Sequence, residues 1–369
     1  MEYIGIGLFF VILFVFSYYF RLSYIFPTII LSIISGFFYL ILSKQNLEIS
    51  DLTNSLSFFY DNVFIFLFFT LGLGYNFRKI YQILLRSIVP SLLDLLNFFL
   101  PWVVFYLFLK DFLVSFILAL ILYPSSTSII VKKLENYKLL FSKQADFLLG
   151  VLLFEDLILI ILLSFISLKK FYFSMFFIGV ILFAGFIYIL NRLCDKYKKE
   201  LDLIMDSDLG IFLVIGVLLF FVWLFYYVFY IPYFISSFVL GLSINEYVAN
   251  RVRLRIDVFK DLSLASYMFV FFFTSIVNYK GIGKLVDVHV LLVFVILLFF
   301  KFITTYFGGR IFGISKKRLS FVSLLSMIRG EFSIVAVSFI PNYFLLALIS
   351  VVLTNLLFSF GSIYFKSKS

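Results

Sequence analysis

Stretches of about twenty apolar residues, parted by short charged clusters, run from one end of this chain to the other, and that is the length a helix needs to cross a bilayer. Thirteen can be marked out: 3–20, 24–42, 56–74, 88–109, 112–131, 147–168, 171–191, 208–229, 231–249, 262–279, 286–308, 320–341 and 343–365. No water-soluble interior could hold so much apolar surface. Of the 369 residues 64% are hydrophobic and only 14% charged, where soluble domains carry about 25% charged residues. Phenylalanine alone occurs 56 times. The chain reads as an all-α polytopic membrane protein whose first partner is the lipid bilayer. A lone cysteine, Cys194, excludes an internal disulfide framework.

A net charge of +10 would suggest nucleic acid in a soluble protein. Here the cations follow the spans instead. Of 30 Lys and Arg residues, 22 fall in loops after odd-numbered spans or in the tail, and six fall after even-numbered ones. The last two, Lys301 and Arg329, lie inside spans. By the positive-inside rule this alternation puts the N-terminus outside and the C-terminus in the cytoplasm of a multi-pass protein of the cell (plasma) membrane. The charge is thus a topology signal, and no nucleic acid partner is expected. The first span starts at Met1-Glu2 without a basic n-region and lacks a small-residue cleavage site, so it reads as a retained helix. Only a few polar residues follow the last span, so a soluble regulatory domain is expected on a separate subunit.

An ionisable side chain at the bilayer centre costs about 2.5–3.5 kcal/mol and is by default a functional hypothesis. Six qualify: Asp94, Glu155, Asp156, Lys301, Arg329 and Glu331. The competing reading for each is a snorkelling interfacial charge or a structural ion pair, and Asp94, eight residues after Arg86, is the most exposed to it. Glu155 and Asp156 sit mid-span in Gly150-Val-Leu-Leu-Phe-Glu-Asp-Leu157. Adjacent helical residues point about 100° apart, so both carboxylates avoid lipid only if they face a protein or water interior. Lys301, nine residues before Arg310, needs a buried anion. One of the two carboxylates is the natural candidate, which leaves the other to bind something.

Two spans carry breaks. Tyr123-Pro-Ser-Ser-Thr-Ser128 interrupts the fifth, and Ile328-Arg-Gly-Glu-Phe-Ser333 the twelfth. Irregular backbone at that depth is tolerated only where it lines a cavity or is buried in protein. Seven spans apart, the two run in opposite directions. Interrupted helices at matching places of two inverted halves point to a secondary-transporter site. The same offset pairs Asp94's span with Lys301's.

With these residues in hand, the chain resembles the monovalent cation:proton antiporter-2 family, the Kef-type and NapA-type sodium or potassium/proton exchangers. Leu122-Tyr-Pro-Ser-Ser-Thr-Ser128 is similar to that family's first broken core helix, Glu155-Asp156 to its acidic motif, and Arg329-Gly-Glu-Phe-Ser333 to its second broken helix. Lys301 falls where the family has an intramembrane lysine. The resemblance implies inverted repeats with two crossed discontinuous helices, the sodium/proton antiporter-like fold. It implies one transmembrane domain over 1–369, with ion-binding core helices near 88–168 and 286–365. The other helices would serve as scaffold and homodimer interface, and no C-terminal soluble domain is expected. Asp156 would hold cation and proton alternately, Glu155 would pair with Lys301, and Thr127 and Ser126 would line the site. Pro124, Arg329, Gly330, Glu331 and Ser333 would shape the broken helices, with Asp94 a secondary candidate. No cofactor is implied beyond the transported Na⁺ or K⁺ and H⁺. Glu155 departs from the family, which has Gln or Asp there, so ion choice and stoichiometry stay open.

The rivals are a carrier of organic anions on a related inverted-repeat fold, using Lys301 or Arg329, and a channel-like K⁺ efflux protein. An enzyme is disfavoured: the chain has one His, His289, and neither a His-Glu-x-x-His nor a Gly-x-Ser-x-Gly motif.

Overall fold

The computed structural model describes residues 28–32, 34–35, 62–74, 77–167, 181–182, 185–186, 188–189, 192, 196–197, 209–244, 246–278 and 288–366. The expected span at 3–20, and most of those at 24–42 and 171–191, lie outside the described residues. The others overlap helices whose ends follow from local sequence, although the expected span 231–249 holds only an 11-residue helix, Tyr233–Ser243, and ends in the helix that begins at Glu246. The helices are α1 (Asn62–Leu73), α2 (Phe77–Asp94), α3 (Leu96–Leu109), α4 (Phe112–Leu122), α5 (Thr127–Asn136) and α6 (Lys143–Ser167). Then come α7 (Leu209–Phe229), α8 (Tyr233–Ser243), α9 (Glu246–Asn278), α10 (Val288–Ile311), α11 (Lys316–Ser326), α12 (Glu331–Val337) and α13 (Phe344–Lys366). Among the described residues, seven helical stretches are long and apolar enough to cross a membrane.

Local chemistry sets the boundaries. Lys110 closes α3 in the left-handed conformation (φ 55°), its N–H bonded to Tyr106 O, and Asp111 caps α4 by accepting from Val114 N–H at 3.0 Å. Pro124 has no N–H to continue α4, which ends at Leu122. The tenth expected span, 262–279, proves to be the end of a longer helix. α9 begins at Glu246 and runs through Arg251, Arg253 and Arg255, because the charged loop expected there is itself helical. Lys260 pairs with Asp257 at 3.1 Å within it.

The chain divides into two compact units. The first comprises residues 81–159 and 268–369 together with the N-terminal 47 residues. In it α3 packs on α4 and α10, α12 on α4 and α13, and α11 on α10 and α13. The interrupted stretches Phe112–Asn136 and Arg318–Val337 are the most buried of the seven, which puts their breaks in protein, as the cost of unpaired backbone requires.

The second unit comprises 48–80 and 160–267. Its core joins Phe66, Phe69 and Leu73 of α1 to Leu218, Val222 and Phe225 of α7 and Leu240 of α8. Gly72 and Gly241 face each other where α1 meets α8. A Cβ on Gly72 would run into Phe238 O and Leu242 N, and one on Gly241 into Phe69 O and Leu73 N. Such small-residue crossings are the usual route to close helix packing in membranes. Phe212, Phe220, Trp223 and Tyr227 of α7 stay exposed, an apolar surface that suits lipid and not water.

Candidate functional site

The six intramembrane charges picked out by depth alone are the six buried charged residues among those described: Asp94, Glu155, Asp156, Lys301, Arg329 and Glu331. All belong to the first unit. Four acids stand against two bases in this buried set.

Lys301 on α10 points between two carboxylates. Its Nζ stands 2.7 Å from Glu155 Oε1 and 2.6 and 2.8 Å from the oxygens of Asp94. It also lies 5.6 Å from the Tyr123 ring centre, a cation–π distance. Asp94 is therefore a buried, ion-paired charge. Its position is held by Asn97 on the next helical turn, whose Nδ2 donates to Asp94 Oδ1 at 2.8 Å and also bonds Thr304, one turn beyond Lys301. Glu155 receives a second tie, the Ser125 N–H to Oε2 at 2.7 Å. That amide is one of those freed by the break after α4.

Asp156, one residue on, takes another direction. Thr127, the first residue of α5, donates from Oγ1 to Asp156 Oδ2 at 3.2 Å. The sequence grouped Ser126 with Thr127, but the Ser126 hydroxyl reaches elsewhere, donating to Glu331 Oε2 at 3.1 Å. Ser128 donates to Glu331 Oε1 at 3.0 Å.

The two breaks meet. Ser126 N–H donates to Ile328 O at 2.8 Å, and the Ser333 hydroxyl to Ile121 O at 2.8 Å. Arg329, fully buried, donates from Nη1 to Pro124 O at 3.3 Å and to Ser125 Oγ at 3.2 Å. Ser125 in turn donates to Ser326 O at 2.7 Å. Thr354 and Asn355 of α13 bond the Arg329 N–H and C=O. Backbone groups released by each break are thus taken up by the other break or by α13, which is how such irregularity survives in a membrane interior. Gly330 is required by proximity. A Cβ there would stand 2.5 Å from Ser126 Oγ and 2.6 Å from Ser126 Cβ.

Sequence reasoning missed Ser125, Asn97, Thr304, Thr354 and Asn355. A signal existed for most of them. Asn97 and Thr304 lie three residues beyond Asp94 and Lys301, on the same helix faces, and Thr354-Asn355 is a polar pair inside an apolar run.

A pair of broken helices lined by buried charges fits a class, the membrane-embedded secondary transporters. Within it, the chain belongs to the family described as sodium/hydrogen exchanger, transmembrane, which its sequence matches over residues 5–365. It is accordingly a multi-pass membrane cation/proton antiporter and not an enzyme. Among curated relatives it is 28% identical over 284 residues to the ammonium/H⁺ antiporter subunit AmhT of Alkalihalophilus pseudofirmus, covering 74% of this chain and 72% of that one. It is 26% identical over 283 residues to the K⁺/H⁺ antiporter subunit KhtU of Bacillus subtilis, covering 73% and 68%. The solved sodium/proton antiporter MjNhaP1 of Methanocaldococcus jannaschii, at pH 8, superposes with a TM-score of 0.60 over 97% of this chain and 96% of that one. Their identity is 16%, so that likeness speaks for the fold.

Proposed function

We propose that this chain exchanges Na⁺ or K⁺ for H⁺ by alternating access, with Asp156 as the carboxylate that holds one or the other. The observation that carries this is the contrast between neighbours. Glu155 is engaged by Lys301 and the Ser125 amide, while Asp156 faces the hydroxyl that opens α5. Deprotonated Asp156 accepts a cation stripped of water, with Thr127 oxygen replacing part of its hydration. Protonation expels it. One carboxylate cannot hold both, so competition itself couples the two fluxes. NH₄⁺ and K⁺ join Na⁺ as ions to test, since the relatives are named for them.

In this reading the helices of residues 88–168 and 286–365 form the moving core of a single domain, with two crossed discontinuous helices in inverted repeats. The first compact unit, which holds every buried charge among the described residues, supports that division. The remaining helices are scaffold and homodimer interface. Thirteen spans place the N-terminus outside and the C-terminus in the cytoplasm, in the plasma membrane. A separate regulatory subunit joins it, in keeping with relatives named as subunits. No cofactor enters the cycle.

The test is cation-driven dequenching of a pH dye in proteoliposomes, with Na⁺, K⁺ and NH₄⁺ in turn. Asp156→Asn is expected to abolish it for every ion. Exchange at the wild-type rate in folded Asp156→Asn protein would overturn the assignment.

A further inference from the structure

We infer that Glu331, Ser126 and Ser128 form a second binding site for the transported alkali cation, across the first turn of α5 from Asp156. The inference rests on the exchange reading above and adds a site to it. Three consecutive residues at the start of α5 divide their hydroxyls between two carboxylates. Thr127 turns to Asp156 at 3.2 Å, while Ser126 and Ser128, on either side of it, turn to the two oxygens of Glu331 at 3.1 and 3.0 Å. The two serine oxygens are 3.3 Å apart. A carboxylate and two hydroxyls converging in this way are hard oxygen donors, the ligand set that suits Na⁺ and K⁺.

Charge is the second, independent observation. Glu331 is 7% exposed, yet no Lys or Arg among the described residues lies within ion-pair distance of it. Both buried bases are occupied elsewhere. Lys301 lies between Asp94 and Glu155, and Arg329 is bonded to Pro124 O and Ser125 Oγ. Hydroxyl hydrogen bonds satisfy the oxygens of Glu331 but supply no positive charge, and a buried carboxylate without a counterion is costly. A monovalent cation supplies that charge.

Access is the third. Ser128 is exposed, and one and two turns along the same face of α5 come Lys132 and Glu135, exposed as well. Polar residues therefore continue the face of α5 that carries Ser128 toward the helix's charged end. A cation waits at Glu331, then passes the Thr127 hydroxyl to Asp156 as that carboxylate gives up its proton.

The experiment measures initial exchange rates against Na⁺ and against K⁺, at fixed pH, in proteoliposomes of the full chain carrying Glu331→Gln, Ser128→Ala or Glu331→Asp. Loss of one charge-assisted contact predicts an apparent KM about tenfold higher in Glu331→Gln, a smaller rise in Ser128→Ala, and recovery in Glu331→Asp. The change falls on KM more than on kcat. Because Ser128 is exposed, its variant keeps the test open if Glu331→Gln fails to fold. An unchanged KM for both ions in Ser128→Ala and in folded Glu331→Gln overturns the site. So does a shifted pH profile at unchanged KM, which makes Glu331 a proton carrier, or a fall in kcat alone, which makes it a structural joint. Asp156→Asn in the same assay separates the two ideas, since its retained activity would sink the assignment of Asp156 as the shared carboxylate and leave KM at Glu331 a separate question.

Discussion

Lys301 has two carboxylate partners, and a double-mutant cycle on Asp94→Asn and Glu155→Gln measures what sharing them means. Nζ stands 2.6 Å from Asp94 and 2.7 Å from Glu155. At an effective dielectric near 20, each attraction is worth about 6 kcal/mol gross. The two carboxylates can be no more than about 5 Å apart across the ammonium, and their repulsion is then about 3 kcal/mol. Removing either charge loses one attraction and relieves that repulsion, a net loss of about 3 kcal/mol before desolvation is regained. Removing both loses two attractions for one relief and leaves a buried ammonium without an anion. The double variant should therefore be less stable than the sum of the single losses predicts by about 3 kcal/mol, or about 6 °C of melting temperature at roughly 2 °C per kcal/mol. The assay is unfolding in mixed micelles followed by the fluorescence of Trp102 and Trp223. A double variant no less stable than the sum of its singles would refute the shared-counterion account.

Two glycines give sharper steric tests. Gly330→Ala puts a methyl 2.5 Å from Ser126 Oγ and is expected to cost about 1–3 kcal/mol, with Ser126→Gly in the same chain restoring most of it. Unchanged melting of Gly330→Ala would mean the breaks do not meet there. In the second unit, Gly72→Ala drives its methyl onto the backbone of α8, and Gly241→Ala onto that of α1. Each should cost at least about 1–3 kcal/mol, and the pair together less than the sum, because one gap has to open once. Additive losses would show that the two methyls disturb separate contacts.

Much of this fold is legible along the chain because the bilayer acts on each segment separately. Apolar run length marks the spans at 112–131, 147–168, 286–308, 320–341 and 343–365 to within a few residues of α4–α6 and α10–α13, while the one at 88–109 straddles the join of α2 and α3. The exceptions are α2 and α9, where charged stretches read as loop but fold as helix. Charge at depth picks out all six buried charged residues among those described, since any Asp, Glu, Lys or Arg far from water needs a reason to be there. Proline and glycine among hydroxyl and charged residues mark both breaks.

Partnership is a different matter. Helical periodicity says that Glu155 and Asp156 point apart, but not which of them meets Lys301, and spacing alone offered no role for Asp94 at Lys301. Nor could adjacency show that Ser126 and Ser128 turn to Glu331 while Thr127, between them, turns to Asp156. Those contacts join residues as much as 207 positions apart, and they depend on where rigid helices come to rest against one another. The sequence by itself determined which charges are buried and where the helices break, because hydrocarbon penalises each exposed charge and unpaired amide where it stands. Only the tertiary structure decided which charge answers which, because a hydrogen bond needs its two atoms within about 3 Å, and packing alone brings them there.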